Sequence, residues 1–172
     1  MHIAKPGPDE YFEYYGKYIS LVGDDALAAL HAQGVSTPRL LSGVSEAQAM
    51  FRYEPGKWSV KEVLGHVIDG ERVFAHRALR FARADRTPLP GFEENEWVPA
   101  AHFDRRPLPE LVAEYSAVRA ATLALLGSFD GEALTRRGTA NDKEISVRAL
   151  AHIIAGHELH HVGLLRTRYA LA

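Results

Sequence analysis

The sequence predicts an all-α fold, an antiparallel four-helix bundle with long connecting loops. Apolar residues recur at helical spacing in four long segments, and capping residues mark where several of these segments begin. No segment alternates apolar and polar residues over the length of a strand. At 172 residues, the chain is long enough to bury a core, and we treat residues 1–172 as a single domain.

The first long helix is expected over residues 9–34. Asp9 is a suitable N-cap, Gly34 is a suitable stop, and Gly23 marks a point where the helix bends or divides. One face of this segment carries Tyr11, Tyr15, Tyr18, Val22, Ala26 and Ala29. We expect its tyrosines to pack in the core with their hydroxyls at the surface; the alternative is that they line a pocket.

A connector over residues 37–57 follows. Within it, Ser45 and Gln48 form the capping-box pattern of a short helix near residues 46–52. The connector therefore joins two bundle helices without being one itself.

The second long helix begins at another capping box, formed by Ser59 and Glu62. After it, residues 85–107 show no periodicity and contain several prolines. Long irregular segments inside compact domains tend to be functional or disordered. Because this one also carries three large aromatic residues, we interpret it as a packed loop that covers a site.

The third long helix is expected to start with Pro109 in its first turn and to end around residues 127–131. Residues 132–144 are polar and rich in turn formers, which is typical of a short helical turn and a small hairpin. Ser146 then caps the last helix, which is expected to run to about Tyr169.

Composition excludes several classes of protein. The net charge of −2 provides no basic field for nucleic acid, and the helically spaced arginines indicate a solvated or substrate-edge face. These are Arg77, Arg80, Arg83 and Arg86. The absence of cysteine excludes disulfides, thiolate ligands and a cysteine nucleophile. No apolar run approaches the roughly 20 residues of a membrane span, and the start lacks a secretory signal, so we expect a cytoplasmic protein.

Three histidines are expected to point into the bundle. His157 and His161 lie one helical turn apart, on the face that also carries Leu150, Ile153, Ile154 and Leu164. His66 lies on the apolar face of the second long helix. Three imidazoles suit zinc, nickel, iron or copper, and three protein ligands leave a coordination position open, as in catalytic sites. A single inward histidine would be interpreted as core; three together favour a divalent metal.

Three further residues are candidates to orient a ligand or to transfer a proton: Asp69, Glu158 and His160. His157, Glu158 and His161 also spell H-E-x-x-H, the pattern of a metalloprotease helix. We disfavour a protease because no strand pattern borders this helix.

The remaining candidates are interpreted as structural. His76 is expected to be exposed, and His152 to be exposed or at another helix contact. Arg77 lies on the His66 side of its helix, three turns further along. We expect a surface salt bridge for Arg77; the alternative, an anchor for an acidic substrate, requires an elongated pocket.

Two blocks carry a resemblance to a known family: WSVKEVLGHVIDGE at residues 58–71 and GHELHHVGLLRTRY at residues 156–169. Together they resemble the DinB/YfiT-like superfamily. The resemblance implies a four-helix bundle, a divalent metal held by His66, His157 and His161, and a homodimer. Characterised relatives include bacillithiol S-transferases and mycothiol-dependent isomerases, and others are described as metal-dependent hydrolases.

The leading functional hypothesis is therefore a metal-dependent transferase that activates a low-molecular-weight thiol, such as bacillithiol, for transfer to an electrophilic small molecule. Since the chain has no cysteine, the thiol would come from outside. Two alternatives stay open: a hydrolase that uses metal-bound water, and a non-catalytic metal-binding dimeric scaffold. The sequence leaves the metal open among zinc, nickel and iron.

Overall fold

The computed structural model describes residues 1–171 and is mostly helical. Its α-helices are α1 (Gly16–Ile19), α2 (Ala26–Leu41), α3 (Glu46–Ala49), α4 (Val60–Ala82), α5 (Glu94–Ala101), α6 (Leu108–Gly127), α7 (Gly131–Thr135) and α8 (Val147–Thr167). An antiparallel hairpin of β1 (Arg137–Ala140) and β2 (Lys143–Ser146) precedes α8. The four long helices, α2, α4, α6 and α8, form the predicted four-helix bundle. Within residues 1–171, no helix is both long and apolar enough to cross a membrane.

The bundle does not follow simple up-and-down order. Helices α2 and α4 each pack against both α6 and α8, so α2 and α4, which follow one another in the chain, lie on a diagonal. Helices α4 and α8 run antiparallel, because His66 contacts His161 while Gly70, one turn later, contacts His157. The prediction of antiparallel helices is therefore confirmed for α4 and α8.

Helices α2 and α8 run in the same direction. The side chain of Gln33 donates to the carbonyl of Ala155, and Thr37, one turn later, donates to Glu158. Bundles with such parallel pairs need long crossover connections. Helices α4 and α6 are also parallel, because Gly65 lies against Phe103 just before α6, while Glu71, further along α4, pairs with Arg119 of α6. This arrangement explains the length of the predicted loop between α4 and α6.

Helix starts follow the capping signals in the sequence. Ser59 Oγ accepts from the amide of Glu62 at 3.0 Å, and the Glu62 carboxylate accepts from the amide of Ser59 at 2.8 Å. The capping box at Ser45 is also present, and Ser146 Oγ accepts from the amide of Ala149 at 3.1 Å. These predicted boundaries are confirmed.

The first long helix differs from the prediction at both ends. It begins after Asp25, whose Oδ1 accepts from the amides of Leu27 at 3.0 Å and Ile3 at 3.1 Å. Residues 8–19 instead form two 3-10 turns and the short helix α1, and α1 packs on α8. The helix also passes through Gly34, where a side chain would press within 3.3 Å of Arg119. This glycine permits close packing and does not stop the helix.

The crossover over residues 83–107 is ordered, as predicted, but it contains α5 and a 3-10 turn that the sequence did not indicate. Phe103 in this turn is buried, and its ring lies directly against Gly65 of α4, where any Cβ atom would overlap it. The backbone of Leu89 pairs with Thr139 and Asn141 of the hairpin. The crossover is therefore fixed at both ends.

A buried ion network lies between two apolar clusters at the ends of the bundle. Arg119 of α6 donates to Glu71 of α4, with 2.7 Å between Nη2 and Oε2, and to Glu158 of α8. Glu158 also accepts from Tyr115 at 2.7 Å and from Thr37 of α2. All four long helices thus contribute to one network, whose charged members are at most 2% exposed.

Replacing Arg119 by methionine should destabilise the protein strongly, because two carboxylates would stay buried without their cation. Breaking a buried pair in this way costs about 3–5 kcal/mol. Urea unfolding of the parent and of the variant measures this loss as the difference between their free energies of unfolding. Arg80→Met is the control, since Arg80 forms an ion pair with Asp85 at the surface, and such pairs contribute about 0–1 kcal/mol. Equal losses in the two variants would contradict the importance of the network.

Acid should weaken the attachment of the N-terminal segment. Burial acts to raise the pKa of Glu10, but hydrogen bonds from Arg148 and from the amide of Gly7 outweigh it and lower the pKa to about 2. This carboxylate therefore stabilises the fold fully above about pH 4.5, and the contribution disappears as the pH falls through about 2.

In unfolding measurements across pH, Glu10→Gln should be less stable than the parent at neutral pH, and the difference should vanish near pH 2. Glu13→Gln is the control, because Glu13 is exposed. A difference for Glu10→Gln that stays constant from pH 7 to pH 2 would contradict the assignment.

Candidate metal centre

The three predicted histidines meet at one point. His157 Nε2 lies 2.9 Å from His66 Nε2 and 3.1 Å from His161 Nε2, and the ligand atoms of all three lie within 4.8 Å of one another. Each residue is between 7% and 8% exposed. Two separated segments of the chain therefore bring three imidazoles together inside the bundle.

The donor set fits a divalent transition metal. Two nitrogen ligands about 2.1 Å from one ion and about 90–110° apart lie roughly 3.0–3.4 Å from each other. The two Nε2 separations at His157 are close to this range. Three converging nitrogen lone pairs repel one another unless a cation or a proton lies among them, and imidazole is a preferred ligand of zinc, nickel, iron and copper. Calcium and magnesium, which prefer oxygen ligands, fit poorly.

The histidines are in the protonation state that a metal requires. Burial, together with a smaller effect of neighbouring imidazoles, lowers the pKa of His66 to about 4 and that of His161 to about 2. Burial also places the pKa of His157 well below its usual value. All three are thus neutral at neutral pH, as ligation demands.

Aromatic rings and glycines hold the three rings in position. Trp58 lies 4.8 Å from the ring of His66, and Tyr18 lies edge-on to His157 at 5.4 Å. Gly156 allows the backbone of Tyr18 to approach α8, because a Cβ atom there would overlap it. The glycine beside the first histidine of the pair is therefore a packing requirement.

A cavity of about 310 Å³ opens beside the centre, and His66 and His157 form part of its wall. Its aromatic lining comprises Phe12, Tyr14, Tyr15, Tyr18, Phe74 and Phe92. Two of the predicted stripe tyrosines, Tyr15 and Tyr18, thus line a pocket, which was the alternative interpretation of that stripe. Phe92 comes from the crossover, in agreement with the predicted covering loop.

Two of the candidate accessory residues do not line the cavity, and of these only His160 contacts the histidine cluster in the described residues. His160 is half-buried, and its ring centre is 5.0 Å from that of His161 and 5.5 Å from that of Tyr18. Asp69 is half-buried, accepts a 3.4 Å hydrogen bond from Arg72, and has its pKa raised by burial. Their proposed roles in orienting ligands or transferring protons stay predictions.

Glu158 points away from the histidines. Its carboxylate accepts from Thr37 and Tyr115 and forms an ion pair with Arg119, on the α2 and α6 side of α8. Consecutive helical residues are about 100° apart, so Glu158 and His157 serve different sides of the helix. Although the sequence matches H-E-x-x-H, Glu158 does not face the histidines, as the general base of a metalloprotease would.

One further expectation from the sequence is wrong: Arg77 does not form a surface salt bridge, because it is 4% exposed and lines the same cavity as His66. His152 is fully buried, with Nδ1 3.1 Å from the carbonyl of Arg148. Of its two expected placements, the exposed one is therefore excluded and the one at a helix contact remains. Burial of Arg77 was missed because an arginine at helical spacing normally indicates a solvated face, even though its position on the His66 side was visible in the sequence.

Fold and site together define a four-helix bundle with a buried histidine centre suited to a divalent metal. The family model of the DinB superfamily matches residues 29–165, and the chain belongs to this superfamily. A search of curated proteins finds no match.

Two solved structures show the same fold. YfiT from Bacillus subtilis, described as a probable metal-dependent hydrolase with an unusual four-helix bundle topology, is 18% identical with a TM-score of 0.72; the match covers 98% of this chain and 94% of YfiT. A DinB-like protein from the same organism is 18% identical with a TM-score of 0.62, and the match covers 84% of this chain and 89% of that one.

Adding a methyl group at Gly70 should weaken metal binding. A Cβ atom there would lie 3.1 Å from Cε1 of His157 and would force the ring to shift by a few tenths of an ångström. Disturbing the support of a ligand typically lowers metal affinity about tenfold or more. Competition titration with a chromophoric zinc chelator measures the effect. Gly163→Ala is the matched control, since that position on α8 has open space; unchanged affinity in Gly70→Ala would contradict the assignment.

Proposed function

We propose that the protein is a metal-dependent enzyme that activates a low-molecular-weight thiol for transfer to an electrophilic small molecule. The observation that carries this proposal is the convergence of three buried imidazole nitrogens at the wall of a cavity. An ion held by His66, His157 and His161 would border space that a small molecule can enter. A purely structural site would be closed by a fourth protein ligand.

The chemistry expected at such a centre is acidification of a bound ligand. A divalent ion there would lower the pKa of a coordinated thiol or water. The chain's own residues hold the imidazoles neutral, and the aromatic lining limits the access of water to the centre. In the transfer, a carbon–sulfur bond forms as the bond to the leaving group breaks, and the thiol proton is released.

Two features favour a thiol over water as the nucleophile: the pairing of the carboxylate next to the histidines, and the acidity of thiols. The thiol would come from outside, because the chain contains no cysteine. The carboxylate adjacent to the histidine pair, Glu158, is occupied by Arg119 and cannot serve as a base there. A free thiol has a pKa of about 8.5 against about 15.7 for water, so it needs far less help to ionise.

Metal-assisted hydrolysis is the second candidate. The description of YfiT as a probable metal-dependent hydrolase supports it, as does Glu94, a half-buried carboxylate that lines the cavity. Glu94 could accept a proton from a water in the cavity. The third alternative, a non-catalytic metal-binding scaffold, predicts metal binding without turnover, and the homodimer implied by the family resemblance stays a prediction.

Untagged protein should accelerate the reaction of 2-mercaptoethanol, cysteine or glutathione with monobromobimane when zinc, nickel or iron(II) is supplied. Fluorescence of the thioether reports the rate. His157→Ala should lose the metal and bring the rate down to that of the uncatalysed reaction, because it removes the central ligand. His76→Ala is the control, since His76 is exposed and outside the site.

The alternatives give different results in the same experiment. Metal-dependent cleavage of 4-nitrophenyl acetate without any thiol would favour the hydrolase. Stoichiometric metal binding with neither reaction would favour the scaffold. Acceleration that persists in His157→Ala would contradict a role for the histidine centre.

A further inference from the structure

Within residues 1–171, Arg77 is a buried cation without an anionic partner. Its guanidinium donates to the carbonyl of Pro90 at 2.8 Å and lies 5.7 and 5.8 Å from the ring centres of Phe74 and Phe92. Burial lowers the pKa of Arg77, and the neighbouring phenol of Tyr15 opposes this shift. Arginines are almost never buried this deeply without a partner, because an uncompensated buried charge is costly.

Arg119 provides a comparison within the same protein. It is buried to a similar extent, 2% exposed against 4% for Arg77, but it meets two carboxylates. The difference lies in the surroundings. Arg119 is enclosed by four helices, whereas Arg77 borders the cavity beside the metal centre. The missing counter-ion of Arg77 therefore has room to come from a bound molecule.

Arg77, His66 and His157 line one cavity, and Arg77 stands further along α4 than the residues that contact the histidines. Gly70 contacts the ring of His157, and Arg77 follows Gly70 by seven residues on α4. This spacing corresponds to about 10 Å along the helix axis. Side chains on a helix lean toward its N-terminus, which directs Arg77 toward the histidines. A small molecule can span this distance.

The position of Arg77 is fixed before any ligand binds. Its partner Pro90 belongs to the crossover, and the adjacent Leu89 is held by backbone hydrogen bonds of 2.9 and 3.0 Å to the hairpin. The cavity lining also includes the cation Lys143 and only one carboxylate, Glu94, so it carries a net positive charge. A preorganised cation of this kind binds anions without paying to order its side chain.

We propose that Arg77 selects the substrate of this cavity by binding an oxyanion group, a carboxylate or a phosphate, in the same space that His66 and His157 border. The proposal rests on the proposed function, which places the reactive thiol at the histidines. The substrate is then a small acidic thiol. Its anionic group accepts hydrogen bonds from the N–H groups of Arg77 that do not bind the carbonyl of Pro90.

Thiol binding to the cobalt(II)-loaded protein tests this assignment, because a thiolate bound to cobalt produces a charge-transfer absorption. Mercaptosuccinate is the acidic probe and 2-mercaptoethanol the neutral one. In Arg77→Met, the Kd of mercaptosuccinate should rise about tenfold to a hundredfold, the range for losing a hydrogen bond to a charged group. The Kd of 2-mercaptoethanol should stay the same.

Arg80→Met is the matched control, one turn further along α4 and ion-paired with Asp85 at the surface. It should change neither Kd. Arg77→Lys keeps the charge without the planar fork and should restore part of the affinity for mercaptosuccinate. An unchanged Kd for mercaptosuccinate in Arg77→Met, or an equal loss for both thiols, would overturn the proposal.

A second measurement separates this proposal from the proposed function. Succinate and inorganic phosphate, tested without metal or thiol, should raise the Tm of the parent protein but not that of Arg77→Met. If this occurs while neither thiol produces a charge-transfer band, the thiol function fails and the anion site stands. If the two anions shift the Tm of both proteins equally or of neither, the anion site fails. Circular dichroism verifies that each variant is folded.

Discussion

The ion network of Arg119, Glu71 and Glu158 sets the rotation of the last helix, and the histidine centre depends on that rotation. Glu158 follows His157 directly, so a carboxylate held by α6 turns the preceding imidazole toward α4. A buried carboxylate is costly unless paired, which makes other rotations of α8 unfavourable. The network thus orients α8 at the centre of the bundle. The two apolar clusters on either side contribute most of the buried apolar surface.

Close backbone approach supplies the second part of the site. Glycines occur where another part of the chain packs directly against a helix backbone. Gly70 lies against the ring of His157, Gly65 against the ring of Phe103, and Gly156 against the backbone of Tyr18. Each removes a side chain at a helix surface that meets another element. The segment before α2 therefore reaches α8, where it adds Tyr18 to the wall of the cavity.

Periodicity was sufficient to find the histidine centre, since His157 and His161 share a face with apolar residues and the capping box at Ser59 fixes the register of His66. Periodicity placed Arg77 on the His66 side of its helix, but it could not show that Arg77 and Arg119 are buried. Charged residues at helical spacing normally indicate a solvated surface, and their burial depends on partners distant in sequence or on a cavity. The C-terminal end of α2 was mispredicted for a related reason. Glycine is common where helices end, but Gly34 lies inside α2 and allows close packing against Arg119 of α6.

The parallel arrangement of neighbouring helices has a consequence for how the protein can change. The chain must travel back along the bundle between α4 and α6, so a long crossover exists whatever the reaction. Its residue Phe92 lines the cavity and its residue Pro90 holds Arg77, while the imidazoles of His66 and His157 in the cavity wall belong to the long helices. Substitutions in the crossover can therefore change the substrate specificity of the cavity during evolution, while the three histidines stay unchanged.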